Sequence, residues 1–158
     1  MSSRVGLGFD VHRFSDDPAR ELVLGGLVIA DAPGLVGHSD ADVAAHACAD
    51  ALLGAIRLGD LGEHFPDTEP QWERARSVDL LAEVARMVRD AGWELANVDC
   101  TLVAEAPLLA KHRPDIEAGL SEAVGGDVSV KATRAEGLGA IGRVEGMACL
   151  AVALLERP

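Results

Sequence analysis

Residues 5–14 read Val-Gly-Leu-Gly-Phe-Asp-Val-His-Arg-Phe, and residues 42–56 read Asp-Val-Ala-Ala-His-Ala-Cys-Ala-Asp-Ala-Leu-Leu-Gly-Ala-Ile. The first stretch reads as a strand, in which Gly6 and Gly8 bring the backbone close to another element. The second is expected to be a helix ending near Gly59, with Asp40 or Ser39 as its N-cap. Its alanines favour helix intrinsically and permit close packing. Between them, Leu22 to Leu24 and Leu27 to Ala30 read as two short strands around the Gly25-Gly26 turn, followed by a glycine-rich loop from Pro33 to Gly37.

Beyond the first helix, Gly59 to Pro70 has loop chemistry. Ser77 is expected to cap a second helix with the apolar stripe Leu81, Val84, Ala85 and Val88, stopped by Gly92. Val98 to Val103 reads as a strand. Pro114 fits the first turn of a third helix that runs to Val124 before Gly125-Gly126. Val128 to Thr133 and Val144 to Leu155 supply the last strands, and the apolar final run predicts burial on both faces, by helices or by another subunit. This order predicts an α+β fold: a two-layer sandwich of a mixed β-sheet with helices on one face. The expected organisation is a single domain over residues 1–158.

Composition narrows the function. The chain carries 14 Lys+Arg against 26 Asp+Glu, a formal net charge of −12, which argues against general nucleic-acid binding. Aromatics make up 3% and Tyr is absent, so no stacking platform for single strands is available. Cys48, Cys100 and Cys149 are odd in number, widely spaced and set among apolar neighbours, and are expected to be buried free thiols. The N-terminal residues lack a secretory pattern, and the longest apolar run, Met147 to Leu155, falls short of the ~20 residues a membrane span needs. A cytoplasmic protein without membrane contact is expected.

Three stretches carry chemistry. In Asp10-Val11-His12, a strand puts the carboxylate and the imidazole on the same face. In Gly37-His38-Ser39-Asp40-Ala41-Asp42, followed by His46, residues 42 and 46 share one helical face. Gly59-Asp60-Leu61-Gly62 and His64-Phe65-Pro66-Asp67-Thr68-Glu69-Pro70 have the look of a binding loop. Each alone also fits a plainer role: a chance pair, a capped helix start around a satisfied core histidine, a polar turn. Together, Asp10, His12 and His46 form a three-ligand set with one position open, the pattern of a catalytic zinc. Mn²⁺ or Co²⁺ also suits such ligands. A cation would let so acidic a protein accept an anionic substrate. Thr133 and Arg134 are suited to contacting phosphate, and Glu136 to holding a harder cation such as Mg²⁺; a surface turn is the plain alternative there.

The stretches 4–14, 37–54 and 59–70, with Asn97-Val98-Asp99 and Gly142-Arg143-Val144-Glu145-Gly146, are spread over nearly the whole chain. In order and spacing they resemble the 2-C-methyl-D-erythritol 2,4-cyclodiphosphate synthases of the non-mevalonate isoprenoid pathway. The resemblance implies conversion of 4-diphosphocytidyl-2-C-methyl-D-erythritol 2-phosphate to the cyclic diphosphate, with release of CMP. It implies zinc, or another divalent transition metal, on Asp10, His12 and His46, and Mg²⁺ or Mn²⁺ on Glu136 with the substrate phosphates. Asp10, His12, His38 and Ser39 would contact the phosphates, with His38 as a catalytic group. Asp60, Gly62 and the loop Phe65, Pro66, Asp67, Thr68 and Glu69 would hold the erythritol part. Ala104, Ala106, Pro107, Leu108 and Thr133 would hold the cytidine side. It further implies a homotrimer with sites between subunits, and a central cavity near Arg143 and Glu145 where an isoprenoid diphosphate can bind.

The chain departs from that pattern in places. Ala132-Thr133-Arg134-Ala135-Glu136 stands where Ala-Thr-Thr-Thr/Ser-Glu is usual, so Arg134 replaces a threonine credited with transition-state support and is a candidate catalytic residue through its phosphate-matching fork. A lysine usual near Leu108, a glycine usual at Ala41 and a phenylalanine usual at Ala140 are also missing.

Overall fold

The computed structural model describes residues 1–157; Pro158 lies outside the described residues. Six strands and five helices follow one another as β1 (Ser2–Arg13), β2 (Leu22–Leu24), β3 (Leu27–Ile29), α1 (Val43–Ala55), α2 (Leu61–His64), α3 (Ser77–Asp90), β4 (Glu94–Val103), α4 (Arg113–Val124), β5 (Val128–Thr133), α5 (Gly139–Gly142) and β6 (Gly146–Arg157). The main sheet has the order β1-β6-β4-β5, and β2 and β3 form a separate hairpin. β6 is antiparallel to both neighbours, whereas β4 and β5 are parallel and joined through α4, so the sheet is mixed as expected. The predicted α+β architecture, a mixed sheet with helices packed on it, is the one observed.

Gly6 and Gly8 explain how the layers meet. A Cβ built on Gly6 would lie 1.8 Å from the Ala51 carbonyl oxygen, and one on Gly8 1.9 Å from that of Ala47. Helix α1 therefore rests backbone to backbone on β1, which its own alanines also permit. The covered face is completed by Cys100, Leu102, Met147, Cys149, Ala151 and Ala153, all buried. The three cysteines are free and fully buried, as expected.

The opposite face is bare. Val5, Leu7, Phe9 and Val11 of β1 and Leu150 and Val152 of β6 are exposed, at 66, 66, 55, 51, 40 and 43%. The final strand is thus covered by helices on one face only within this chain, where the sequence predicted burial on both.

Several boundaries differ from the sequence reading. Strand β4 begins at Glu94, four residues before Val98, and β6 begins at Gly146, because Val144 has a left-handed φ of 61° that breaks extension. The expected loop at 59–70 holds the one-turn helix α2, capped by Asp60. Helix α1 is capped by Asp42, whose carboxylate accepts from the Ala45 N–H, and not by Asp40 or Ser39. Helix α3 has no side-chain cap of its own from Ser77 or Arg76. Asp40 serves there instead, accepting from the Ser77 N–H at 3.1 Å. Among the described residues no helix is long and apolar enough to cross a membrane.

Candidate active site

The strand period places Asp10 and His12 on the α1-facing side of β1, and the first turn of α1 brings His46 onto them. Asp10 Oδ2 lies 3.0 Å from His12 Nε2 and 3.0 Å from His46 Nδ1. This is the one group of three or more His, Cys, Asp and Glu side chains among the described residues with ligand atoms close enough to hold a metal ion. Donors on a tetrahedral zinc at ~2.0–2.1 Å sit about 3.3 Å apart, so the cluster fits such an ion with little adjustment. The chemistry of the donor set fits as well, since it combines two neutral imidazole nitrogens with one carboxylate oxygen.

The electrostatics agree. Burial by itself would push the Asp10 carboxyl up, but hydrogen bonds and charge from His12 and His46 outweigh it and hold the group well below the usual carboxylate range. Burial also disfavours charged His12, yet the hydrogen bond and charge of Asp10 prevail and raise it. A divalent cation satisfies the same attraction that otherwise retains a proton on His12, so its binding should release protons.

The triad borders a cleft of about 240 Å³ lined by His12, Gly37, His38, Ser39, His46, Leu61, Gly62, Phe65, Asp67, Trp72 and Leu80. The structure therefore brings together candidates from all three sequence stretches. Asp60 caps α2 through the Glu63 N–H at 3.0 Å, and Asp50 of α1 accepts from the Leu61 N–H at 2.8 Å, which ties the loop to the helix. Phe65 meets Trp72 edge-on at 5.0 Å. Pro66 is half-buried; Thr68 and Glu69 are exposed, and Glu69 accepts from Trp72 Nε1 at 3.2 Å. Ala41 has φ 56°, in the left-handed region that glycine occupies without strain, which accounts for the glycine usual at that position.

The remaining candidates lie at the same end of the sheet, but on other strands. Ala104, Ala106, Pro107 and Leu108 follow β4, and Thr133, Arg134 and Glu136 end and follow β5. In the order β1-β6-β4-β5, β4 is two strands and β5 three strands from β1, so about 10 and 14 Å of sheet separate these segments from the triad at ~4.8 Å per strand. None of these residues lines the triad cleft. Ala104 is buried, whereas Leu108, Thr133, Arg134 and Glu136 are exposed. The Arg134 fork is engaged by Glu105, with Nε donating to Oε1 at 2.9 Å; the other Glu105 oxygen accepts from the Ala135 N–H at 3.2 Å. Glu136 sits at φ 53° in that turn. Arg143 is exposed and paired with Glu145 at 2.6 Å.

Three participants had no sequence signal: Ser77, Arg20 and Glu105. In the sequence Ser77 reads as a helix cap, Arg20 sits in a polar turn, and Glu105 is hidden within the apolar run 102–109. Ser77 Oγ is 2.8 Å from His46 Nε2, and Arg20 donates to the carbonyl oxygens of Leu35, Gly37 and Ser39.

Residues 3–156 match the profile of the YgbB family. The chain belongs to the YgbB family. A family relative from Alcanivorax borkumensis, a 2-C-methyl-D-erythritol 2,4-cyclodiphosphate synthase, is 52% identical over 160 residues, covering 99% of this chain and 98% of the relative. A bifunctional enzyme IspD/IspF from Anaeromyxobacter dehalogenans is 50% identical over 155 residues, covering 96% of this chain and 39% of the relative. The chain thus spans about two fifths of the length of that bifunctional relative. A Plasmodium falciparum IspF in complex with CDP superimposes with a TM-score of 0.85 at 29% identity, covering 99% of this chain and 97% of that one. The family resemblance read from the sequence motifs is borne out.

Proposed function

We propose that the chain is a cyclodiphosphate synthase. It converts 4-diphosphocytidyl-2-C-methyl-D-erythritol 2-phosphate to 2-C-methyl-D-erythritol 2,4-cyclodiphosphate and CMP. The observation that carries this reading is the convergence of Asp10, His12 and His46 on a cleft shared with His38 and the 60–67 loop. A relative of nearly the same length bears that activity as its name, and a structural neighbour holds CDP.

In the reaction an oxygen of the 2-phosphate attacks the β-phosphorus. The bond from that phosphorus to the bridging α,β-oxygen breaks, and CMP leaves with the electron pair. Both reacting groups are anionic, so catalysis consists of folding the substrate and offsetting charge. Zinc on Asp10, His12 and His46, and Mg²⁺ or Mn²⁺ on Glu136, would supply that positive charge. His38, half-buried in the cleft, is assigned to the attacking phosphate. Asp60, Gly62 and the Phe65–Glu69 loop hold the erythritol part. The segment 104–108 with Thr133 takes the cytidine diphosphate side, and Arg134 stabilises its phosphates once exchanged from Glu105.

The working form is proposed to be a homotrimer. Two observations favour it: the bare apolar face of β1 and β6, and the separation of the two halves of the site along the sheet edge. A second copy placing its 104–108 and 133–136 segments beside the triad cleft would complete the site. Packing of the apolar face around an axis would leave a central cavity near Arg143, Glu145 and Ala140, suited to an isoprenoid diphosphate. Such an enzyme acts in the cytoplasm.

The deciding experiment is phosphorus NMR of metal-supplied protein with the cytidine-diphosphate substrate. Cyclic diphosphate and CMP in equal amounts are expected. A linear product would indicate hydrolysis, and unchanged substrate with zinc bound would refute the synthase reading.

A further inference from the structure

The two histidines of the triad turn opposite nitrogens toward Asp10, and the residues behind them account for it. His12 offers Nε2 to Asp10, while its Nδ1 lies 2.7 Å from the Val36 carbonyl oxygen. A carbonyl only accepts, so Nδ1 carries the hydrogen. His46 offers Nδ1, while its Nε2 lies 2.8 Å from Ser77 Oγ. A serine hydroxyl can donate or accept, so this contact alone leaves the His46 ring undetermined. Asp40 decides it: its carboxylate binds the Ser77 hydroxyl closely and also accepts from the Ser77 N–H. A carboxylate only accepts, so the single hydroxyl hydrogen of Ser77 goes to Asp40. Ser77 Oγ then accepts from His46 Nε2–H.

We infer that Ser77, oriented by Asp40, is a positioning residue that fixes the His46 ring with Nε2 protonated, so that Nδ1, the nitrogen facing Asp10 and His12, is the one left to bind a cation. The rest of the network agrees. Ser39 Oγ accepts from the Ala41 N–H at 3.1 Å and lies 3.2 Å from both Ser77 Oγ and His46 Nε2; its hydrogen goes to Ser77, because giving it to Nε2 would leave that nitrogen facing the Ser77 lone pair at 2.8 Å with no hydrogen between them. Ser77 is 1% exposed and Ser39 9%, so water does not compete for these bonds. Arg20 pins the same loop, donating to the carbonyl oxygens of Leu35 at 2.8 Å, Gly37 at 3.1 Å and Ser39 at 2.5 Å. One clamped loop therefore supplies both the Val36 carbonyl behind His12 and the Asp40 carboxylate behind Ser77. Partners of this kind behind a ligating imidazole set its tautomer and raise its basicity.

This inference rests on the reading of Asp10, His12 and His46 as a divalent-cation site, and its test separates the two. Zinc and Co²⁺ dissociation constants are measured by competition with a chromophoric chelator for the wild type, Ser77→Ala and Ser77→Thr. Ser77→Ala is expected to bind about 10–100-fold more weakly, and Ser77→Thr, which keeps the hydroxyl, to regain most of the affinity. Nitrogen-15 NMR of histidine-labelled wild type is expected to show a slowly exchanging proton on His46 Nε2, lost in Ser77→Ala. Wild-type affinity in folded Ser77→Ala would overturn the positioning role alone. Failure of the wild type to bind either metal would overturn the cation site with it. Should neither variant fold, the wild-type spectrum decides: a proton held on Nε2 supports the inference, and an Nε2 without one refutes it.

Discussion

Gly8→Ala is the sharpest probe of how this fold holds its site. The added Cβ would lie 1.9 Å from the Ala47 carbonyl oxygen and 2.7 Å from the Ala51 nitrogen. Reaching ordinary contact requires helix α1 to retreat by about 1.5 Å, and both obstacles are backbone, so no rotamer change relieves them. Overpacking in a core typically costs 1–3 kcal/mol when side chains can yield; against rigid backbone we expect about 3–5 kcal/mol. At roughly 2–4 °C per kcal/mol for a chain of this size, that lowers Tm by about 6–20 °C. The same retreat pulls His46 from Asp10, one strand pair further on, so metal affinity should fall too. The assay is denaturant unfolding at one fixed protomer concentration, with and without zinc. Gly54→Ala is the control, because nothing lies within 4 Å of its Cβ position in the same helix, and it should gain up to about 1 kcal/mol. A Gly8→Ala protein within about 1 kcal/mol of wild type would refute the backbone-to-backbone account of the sheet–helix contact.

Three further outcomes are expected. His46→Ala should lose stoichiometric zinc, measured by atomic emission on dialysed protein; full occupancy would exclude His46 as a ligand. Arg134→Ala should raise KM or lower turnover with zinc content unchanged, and Glu105→Gln should weaken the hold on the turn that carries Glu136; steady-state kinetics at wild-type values in both would remove the pair from the mechanism. The third outcome concerns pH. Burial raises the Asp42 carboxyl to about 6 despite its hydrogen bonds from Ala45 and Gly26. The unfolded chain therefore holds fewer protons than the native one between about pH 4 and 6, and the Asp42 contribution is full below that window and lost as pH rises through it, by about 3 kcal/mol. Asp10 is shifted the other way, so its contribution is present above about pH 4 and lost as pH falls. Denaturant unfolding from pH 4 to 7 should show the decline in wild type and a flatter profile in Asp42→Asn; parallel profiles would rule the Asp42 assignment out.

The ligand types and the elements that carry them were legible because their information is local. Asp10 and His12 are two apart on a strand, the buried stripe of α3 repeats at helical spacing, and Pro114 and Gly125 punctuate α4. Capping was misassigned where partners compete. Asp40, Ser39 and Asp42 are all good N-caps by composition, and only the packed loop turns Asp40 away from α1 and onto the start of α3. The one-turn helix α2 leaves no signal in the sequence, because four residues carry no periodicity.

By itself, then, the sequence determined an α+β chain of this family, the Asp-His-His donor set, and the close approach of β1 that its glycines require. Each of these depends on neighbours within a few residues or on the absence of a Cβ. Tertiary structure alone decided what depends on contacts between distant positions. It brought Ser77 to His46 across 31 residues and Arg134 to Glu105 across 29. It left the apolar face of β1 and β6 uncovered, because α1, α3 and α4 all pack on the other side of the sheet. It also set the 104–108 and 133–136 segments apart from the triad, since strand order in a sheet is fixed by global pairing and hydrophobic burial, which no local pattern encodes.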